Sequence, residues 1–60
     1  MKLVGISWDD EEYVAMIEYP GEIDVHFLRE GDEIENGIKV ERITENEVLF
    51  FKGESRWELT

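Results

Sequence analysis

Four consecutive carboxylates, Asp9, Asp10, Glu11 and Glu12, form the densest group of chemically competent side chains in this sequence. Oxygen-rich clusters suit calcium or magnesium. Four adjacent acids on one short loop cannot all turn toward one ion, and no glycine bends the backbone among them. The expectation is a solvated, charged hairpin tip, with weak ion binding left open. A second oxygen-rich stretch, DEIENGIKVERI from Asp32 to Ile43, opens like a calcium loop, with Asp first and Gly37 at the sixth place. It then fails, because Ile34 stands where an oxygen ligand is required and Ile43 where a bidentate glutamate is required. The one histidine, His26, has no neighbouring nucleophile in the pattern and reads as a solvent-facing strand residue. Catalysis needs convergent partners, and acid catalysis needs a carboxylate desolvated in a pocket. Neither a catalytic constellation nor a cofactor motif stands out, so the expectation is a protein that is not an enzyme and takes no cofactor.

The elements around these residues are strands and tight turns. KLVGISW places Val4, Ile6 and Trp8 opposite Leu3, Gly5 and Ser7, the period of two that marks a strand. YVAMIEY, residues 13–19, is β-branched and aromatic, and its mixed pattern resolves to a strand because Pro20-Gly21 follows at once. Proline presets the second position of a type II turn and glycine supplies the positive φ of the third. EIDVHFL alternates Ile23, Val25 and Phe27 with Asp24, His26 and Leu28. Gly31-Asp32 then turns the chain, and Asn36-Gly37 is a strong short turn signal. IKVERI starts a further strand, whose parity breaks at Ile43 and so predicts a bulge near Arg42. TENE, residues 44–47, has the letters of a helix-capping box, but a strand follows it, so it reads as a turn. VLFF, a short Lys52-Gly53 loop and SRWEL complete the chain. Strands are predicted near 3–8, 13–19, 22–28, 38–43, 47–51 and 55–59. They make a small all-β antiparallel sandwich or barrel of about six strands, a single domain over 1–60.

Size and charge bound the rest. A sixty-residue chain buries only about 60% of the surface exposed when unfolded, and no cysteine is present to staple it. The core must come from apolar side chains, and the alternation nominates Val4, Ile6, Ala15, Ile17, Val25, Phe27, Ile34, Val40, Val48, Phe50, Trp57 and Leu59. Sixteen acidic residues against six basic ones give a formal charge of −10. That argues against nucleic-acid binding, which needs clustered Lys and Arg, and favours a soluble protein or one with a basic partner. The longest uncharged run, LVGISW, is too short for a membrane span or a signal peptide.

The second half, FLREGDEIENGIKVERITENEVLFFKGESRWEL, resembles the periplasmic β-domain shared by the type II secretion protein C (its homology region) and the type IV pilus lipoprotein P. The resemblance is carried by Phe27-Leu28, Gly31-Asp32, Ile34, Gly37, Val40 and Ile43, Val48 to Phe50, Gly53 and Leu59. In the first half, LVGI, AMIE and Pro20-Gly21 are similar to the opening hairpin, so the likeness spans roughly residues 3 to 59. It implies a sandwich of two three-stranded sheets without catalysis. It also implies a periplasmic docking module that ties an inner-membrane platform to an outer-membrane secretin. The family domain follows a membrane anchor or lipidated stem, which these residues do not include. The expectation is therefore either an excised domain or a free-standing relative, and the acidity exceeds what the family pattern requires.

Two functional readings follow. One is the protein–protein docking module. The other is a free-standing acidic protein that covers a basic surface, as an inhibitor or nucleic-acid mimic. In either, the first strand is poorly defended if it lies at a sheet edge, having Lys2 at its start and no charge within. Leu3, Val4, Gly5, Ile6 and Ser7 are the predicted pairing segment, with Leu3 and Gly5 setting side-chain fit. Asp9, Asp10, Glu11 and Glu12 would steer a basic partner toward it. Self-pairing of the same edge into a homodimer is the competing expectation.

Overall fold

The computed structural model describes residues 1–60. The strands are β1 (Lys2–Asp9), β2 (Glu12–Glu18), β3 (Val25–Leu28), β4 (Lys39–Ile43), β5 (Val48–Lys52) and β6 (Ser55–Leu59), with one 3-10 turn at Glu35–Gly37. Each consecutive trio is an antiparallel meander, giving two three-stranded sheets of order β1-β2-β3 and β4-β5-β6. The molecule is a small all-β sandwich, as the spacing of strands and turns predicts.

Turn chemistry explains where the strands stop. Glu22 N–H donates to the Tyr19 carbonyl at 3.2 Å, and Gly21 has φ +80°, so Pro20-Gly21 makes the expected turn. Thr44 Oγ1 accepts from the backbone N–H groups of Asn46 (3.3 Å) and Glu47 (3.2 Å), which closes TENE as a turn rather than a helix start. Gly53 and Glu54 form the two-residue loop between Lys52 and Ser55, which are cross-strand partners. The β4 register shifts between Val40 and Arg42, the predicted bulge, and this is what turns Ile43 into the core.

Residues 29–40 cross from one sheet to the other, held by a set of local hydrogen bonds. Arg29 N–H donates to Asp32 Oδ2 at 2.8 Å, and Asp32 N–H donates to the Arg29 carbonyl at 3.1 Å. Gly31 N–H donates to the Val40 carbonyl (2.9 Å), and Val40 N–H donates back to the Asp32 carbonyl (2.8 Å). The Glu30 carboxylate reaches over to accept from Ile43 N–H at 2.9 Å. The crossover is thus welded to β4 by backbone pairing, with the Glu33–Lys39 bridge extending the contact.

The core lies between the sheets. Ala15, Ile17 and Leu28 come from the first, and Val40, Ile43, Val48 and Phe50 from the second. Leu3, Ile6, Tyr13, Ile34 and Leu59 pack around them, half-buried. Ala15, Ile17, Val40, Val48 and Phe50 are therefore buried as predicted. Of the other seven predicted core residues, Ile6, Ile34 and Leu59 are only partly buried and four are exposed. Val4 is 50% exposed, because the β1 register shifts between Leu3 and Gly5, so Leu3 and Ile6, rather than Val4 and Ile6, face inward. Val25 and Phe27 are exposed because β3 starts only at Val25 and pairs Leu28 with Ala15, putting Leu28 inside and Phe27 outside. Trp57 stacks on Phe50, with ring centroids 5.9 Å apart, but sits on the edge strand β6 and stays 40% exposed. Val14, Leu28 and Ile43 are buried without having been predicted.

The β1–β2 hairpin stores strain. Its two loop residues, Asp10 and Glu11, have φ of 52° and 76°, the left-handed pair of a type I′ turn. Asn-Gly is the sequence that geometry favours, whereas a long side chain such as glutamate adopts it at a cost. Replacing Asp10-Glu11 by Asn-Gly is expected to raise stability by about 1 kcal/mol, read as a higher urea midpoint at unchanged slope. A midpoint that does not move would show that the turn is unstrained.

Candidate functional site

Two surfaces of the first sheet stand out, the free edge of β1 and the outer face. β1 has one neighbour only, β2, so one side of an eight-residue strand carries no pairing within the chain. Unpaired strand edges are templates for another strand, and charge along them is the usual defence. β1 has charge only at its ends, Lys2 and Asp9. The other edges are shorter: β3 has four residues, β6 has five, and β4 is extended by its bridge to Glu33.

The residues expected to bind a partner fall on this strand and its turn, but they do not all face the same way. Gly5 and Ser7 pair with Met16 and Val14 and lie on the outer face. Leu3 pairs with Ile17 and packs against the core, so it cannot set side-chain fit for a partner on the outside. The register shift between Leu3 and Gly5 separates the two and leaves Val4 exposed in their place. Ile6 also packs inward. Asp9, Asp10, Glu11 and Glu12 are all exposed at the hairpin tip. They do not gather into a group with metal-binding geometry. Arg29 Nε lies 3.4 Å from Glu12 Oε1 and offsets part of the charge there.

The outer face of this sheet carries an apolar patch of Val14, Met16, Val25 and Phe27, and the alternation rule applied to β2 misses it. Across the face run three rows: Ser7 with Val14; Gly5, Met16 and Phe27; and Lys2, Glu18 and Val25. Val14 is only 4% exposed although it faces away from the core, and Phe27 is 59% exposed beside it. Val14 forms the floor of a shallow groove walled by Ser7, Trp8, Asp9, Phe27 and Arg29. The signal in the sequence is YVAMIEY itself, apolar at both parities, the pattern of a strand covered on both sides.

Elsewhere the polar groups are surface pairs. His26 Nε2 sits 2.9 Å from Glu22 Oε1, and its ring meets Tyr19 edge to face at 4.8 Å. His26 is half-buried rather than fully solvent-facing, because its partner in the register is the inward Ile17. Burial raises the Tyr19 phenol above its usual value, helped by the negative charges of Glu35 and Glu22. On the second sheet, Glu41, Leu49, Phe50, Arg56, Trp57 and Glu58 line a shallow depression, crossed by the exposed Arg56–Glu41 contact at 3.1 Å. The Glu47 carboxyl is raised above the ordinary carboxylate value, first by a hydrogen bond with Glu58, then by burial and by that neighbour's charge. These contacts are exposed pairs of the kind that contribute little to stability, and none places a nucleophile beside a base.

A scan against protein-family models, a search of curated proteins and a search of solved structures find no match to this chain.

Proposed function

We propose that this chain is a non-catalytic protein–protein docking module that takes up a strand of a partner along the free edge of β1. The observation that carries the reading is the edge itself, eight residues long and uncharged from Leu3 to Trp8. An added strand gains affinity from main-chain hydrogen bonds and specificity from alternate side chains. Here the outward side chains it would meet are those of Val4 and Ser7, with the bare backbone of Gly5 between them and the acidic tip at Asp9–Glu12 favouring basic residues at one end of the partner strand. Such long-range attraction acts mainly on the rate of association and weakens as salt rises.

The resemblance to the secretion and pilus β-domain supports a finer form of this proposal, in which the module is periplasmic and the partner is a secretin-like component of an envelope assembly. The net charge of −10 supports the competing form, an acidic protein that covers a basic surface. Affinity capture from the native cell, followed by mass spectrometry, separates them. A secretin among the captured proteins supports the adaptor, and a basic nucleic-acid-binding protein supports the mimic.

Gly5→Lys tests the mode of binding. A β-carbon at position 5 would lie 3.2 Å from Met16 Cε, the flexible end of a side chain, so the fold accommodates the change. Lysine on an edge is the device by which natural sheets refuse a further strand. The variant is expected to keep its circular dichroism spectrum and lose the captured partner. Capture at the level of the unmodified protein would remove strand addition along β1.

A further inference from the structure

We propose that the strand taken up by β1 is a short antiparallel segment that pairs only over Ile6–Trp8, with two apolar residues on either side of a small polar one and basic residues at its N-terminal end. This rests on the strand-addition reading above, narrows it to one half of the edge, and names the kind of sequence the partner must present.

The reach of the ladder follows from the hairpin. Asp10 and Glu11 form a two-residue loop with both φ values positive, so Asp9 and Glu12 close it as a hydrogen-bonded pair. In an antiparallel ladder such pairs alternate with pairs that do not bond. Ser7–Val14 and Gly5–Met16 are therefore the next bonded pairs, and Ile6 and Trp8 turn their N–H and C=O groups away from β2, to the free edge. Toward the start of the strand the alternation breaks. Leu3 and Gly5 face the successive residues Ile17 and Met16, so Val4 is the extra residue of a bulge. Bulges bend an edge strand and end its pairing. The half of the edge from Leu3 to Gly5 is closed to a regular partner, and the half from Ile6 to Trp8 is open.

Side chains set the composition of the partner. Residues directly across from one another share a face of the sheet. The two partner residues opposite Trp8 and Ile6 thus lie on the inner face. Ile6 packs against the core there, and Trp8, edge to face with Tyr13 at 4.8 Å, is 61% exposed. Apolar side chains at those two positions cover the indole and continue the core past the edge of the sheet. The residue between them stands on the outer face beside Ser7, where a small polar side chain fits. Charge sets the direction. β1 begins at Lys2 and ends at Asp9, which Asp10, Glu11 and Glu12 follow. Basic residues of the partner are attracted to the second end and repelled from the first. An antiparallel strand, which pairs somewhat more stably than a parallel one, brings its N-terminal end to the acidic tip.

Titration of the whole chain with the acetylated, amidated peptide KKITIT, followed by amide NMR, tests this. In the proposed register its first isoleucine lies opposite Trp8, its second opposite Ile6, and its second lysine opposite Asp9. Shifts are expected at the amides of Ile6 and Trp8, sparing Leu49, Phe51 and Arg56 on the second sheet, and saturating with a Kd of roughly 0.1–1 mM for so short a ladder. N-methylation of the first isoleucine, whose N–H must face β1, should weaken binding by at least about tenfold. N-methylation of the threonine between the isoleucines, whose N–H points to solvent, should leave it within about threefold. The reversed peptide TITIKK, which puts its lysines at the Lys2 end when it pairs antiparallel, should bind at least about fivefold more weakly. Equal binding of the two peptides overturns the proposal. So does the opposite N-methylation pattern, a set of shifts confined to Leu3–Gly5, or no shift up to about 5 mM peptide. The broader strand-addition reading is decided separately, by capture of the native partner with and without Gly5→Lys, so the two failures are distinguishable.

Discussion

Phe50→Ala is expected to leave most of the protein unfolded at 25 °C. Phe50 is the largest fully buried side chain, 1% exposed, at the centre of the second sheet. It pairs across the strands with Val40 on one side and Trp57 on the other, and its ring stacks on the indole. Truncating a buried phenylalanine to alanine costs about 3–5 kcal/mol through lost transfer energy and the cavity left behind. A chain of sixty residues has a total stability of about 3–9 kcal/mol at the usual yield per residue. The loss is thus comparable to the whole. Urea denaturation at 25 °C, followed by tryptophan fluorescence, measures it. A loss under about 1 kcal/mol would mean that the site can collapse or that Phe50 does not lie between the sheets. Leu28→Ala makes a useful companion, because Leu28 is buried from the opposite sheet. The two sites lie across the same small core, so their effects are expected to couple rather than add.

The strands, the turns and the central core residues are legible in the sequence because each rests on a local rule. Period two, Pro20-Gly21, Asn36-Gly37 and the parity break at Ile43 are all readable without knowing what packs on what. Which face of a strand turns inward is a different matter. In EIDVHFL both parities offer apolar side chains, Val25 and Phe27 on one and Leu28 on the other. The decision belongs to the pairing of Leu28 with Ala15, which no local rule supplies. In β1 the shift between Leu3 and Gly5 exchanges Leu3 for Val4 on the inner face, and a one-residue slip is enough to reverse such an assignment. Trp57 illustrates a third limit. Its parity is correctly inward, but an edge strand of a three-stranded sheet has neighbours on one side only, so a large ring remains part-exposed.

The same reasoning explains what was legible of the interaction surface. That β1 is uncharged within is a fact of composition. That it lies at an edge is a fact of topology, and only the two together make it a candidate for pairing. The apolar outer face of β2 was written in YVAMIEY as a run without alternation, which a search for alternation treats as noise. Large surface residues such as Val4 and Phe27 then look like core candidates until the register puts them outside. In so small a chain, with two thin sheets, a residue's sequence pattern states that it is buried by something. It does not say whether that something is the opposite sheet or another molecule.

Gly37→Val is expected to lower stability by about 2 kcal/mol, and it separates backbone strain from packing more cleanly than any other change in the chain. Gly37 has φ +75° and follows Asn36 at φ +60°, so two successive residues occupy the left-handed region. Their turn lets Ile34 N–H donate to the Ile38 carbonyl at 2.7 Å and Ile38 N–H to the Glu35 carbonyl at 3.2 Å. That contact folds the crossover back on itself and positions Lys39 to begin β4. A β-carbon at position 37 would meet nothing within 4 Å, so a larger side chain causes no clash. What remains is the backbone conformation, which glycine adopts freely and a β-branched residue adopts only under a strain of about 1–3 kcal/mol. For a domain of this size about 2 kcal/mol corresponds to a fall in Tm of about 10 °C. Asparagine tolerates the left-handed region better than other side chains, so Gly37→Asn should lose clearly less than Gly37→Val. Equal losses for the two variants would show that bulk rather than φ is the problem. An unchanged Tm in Gly37→Val would mean that the crossover can be rebuilt without a left-handed turn, and that the hydrogen bonds around Ile34 and Ile38 do not hold the two sheets in place.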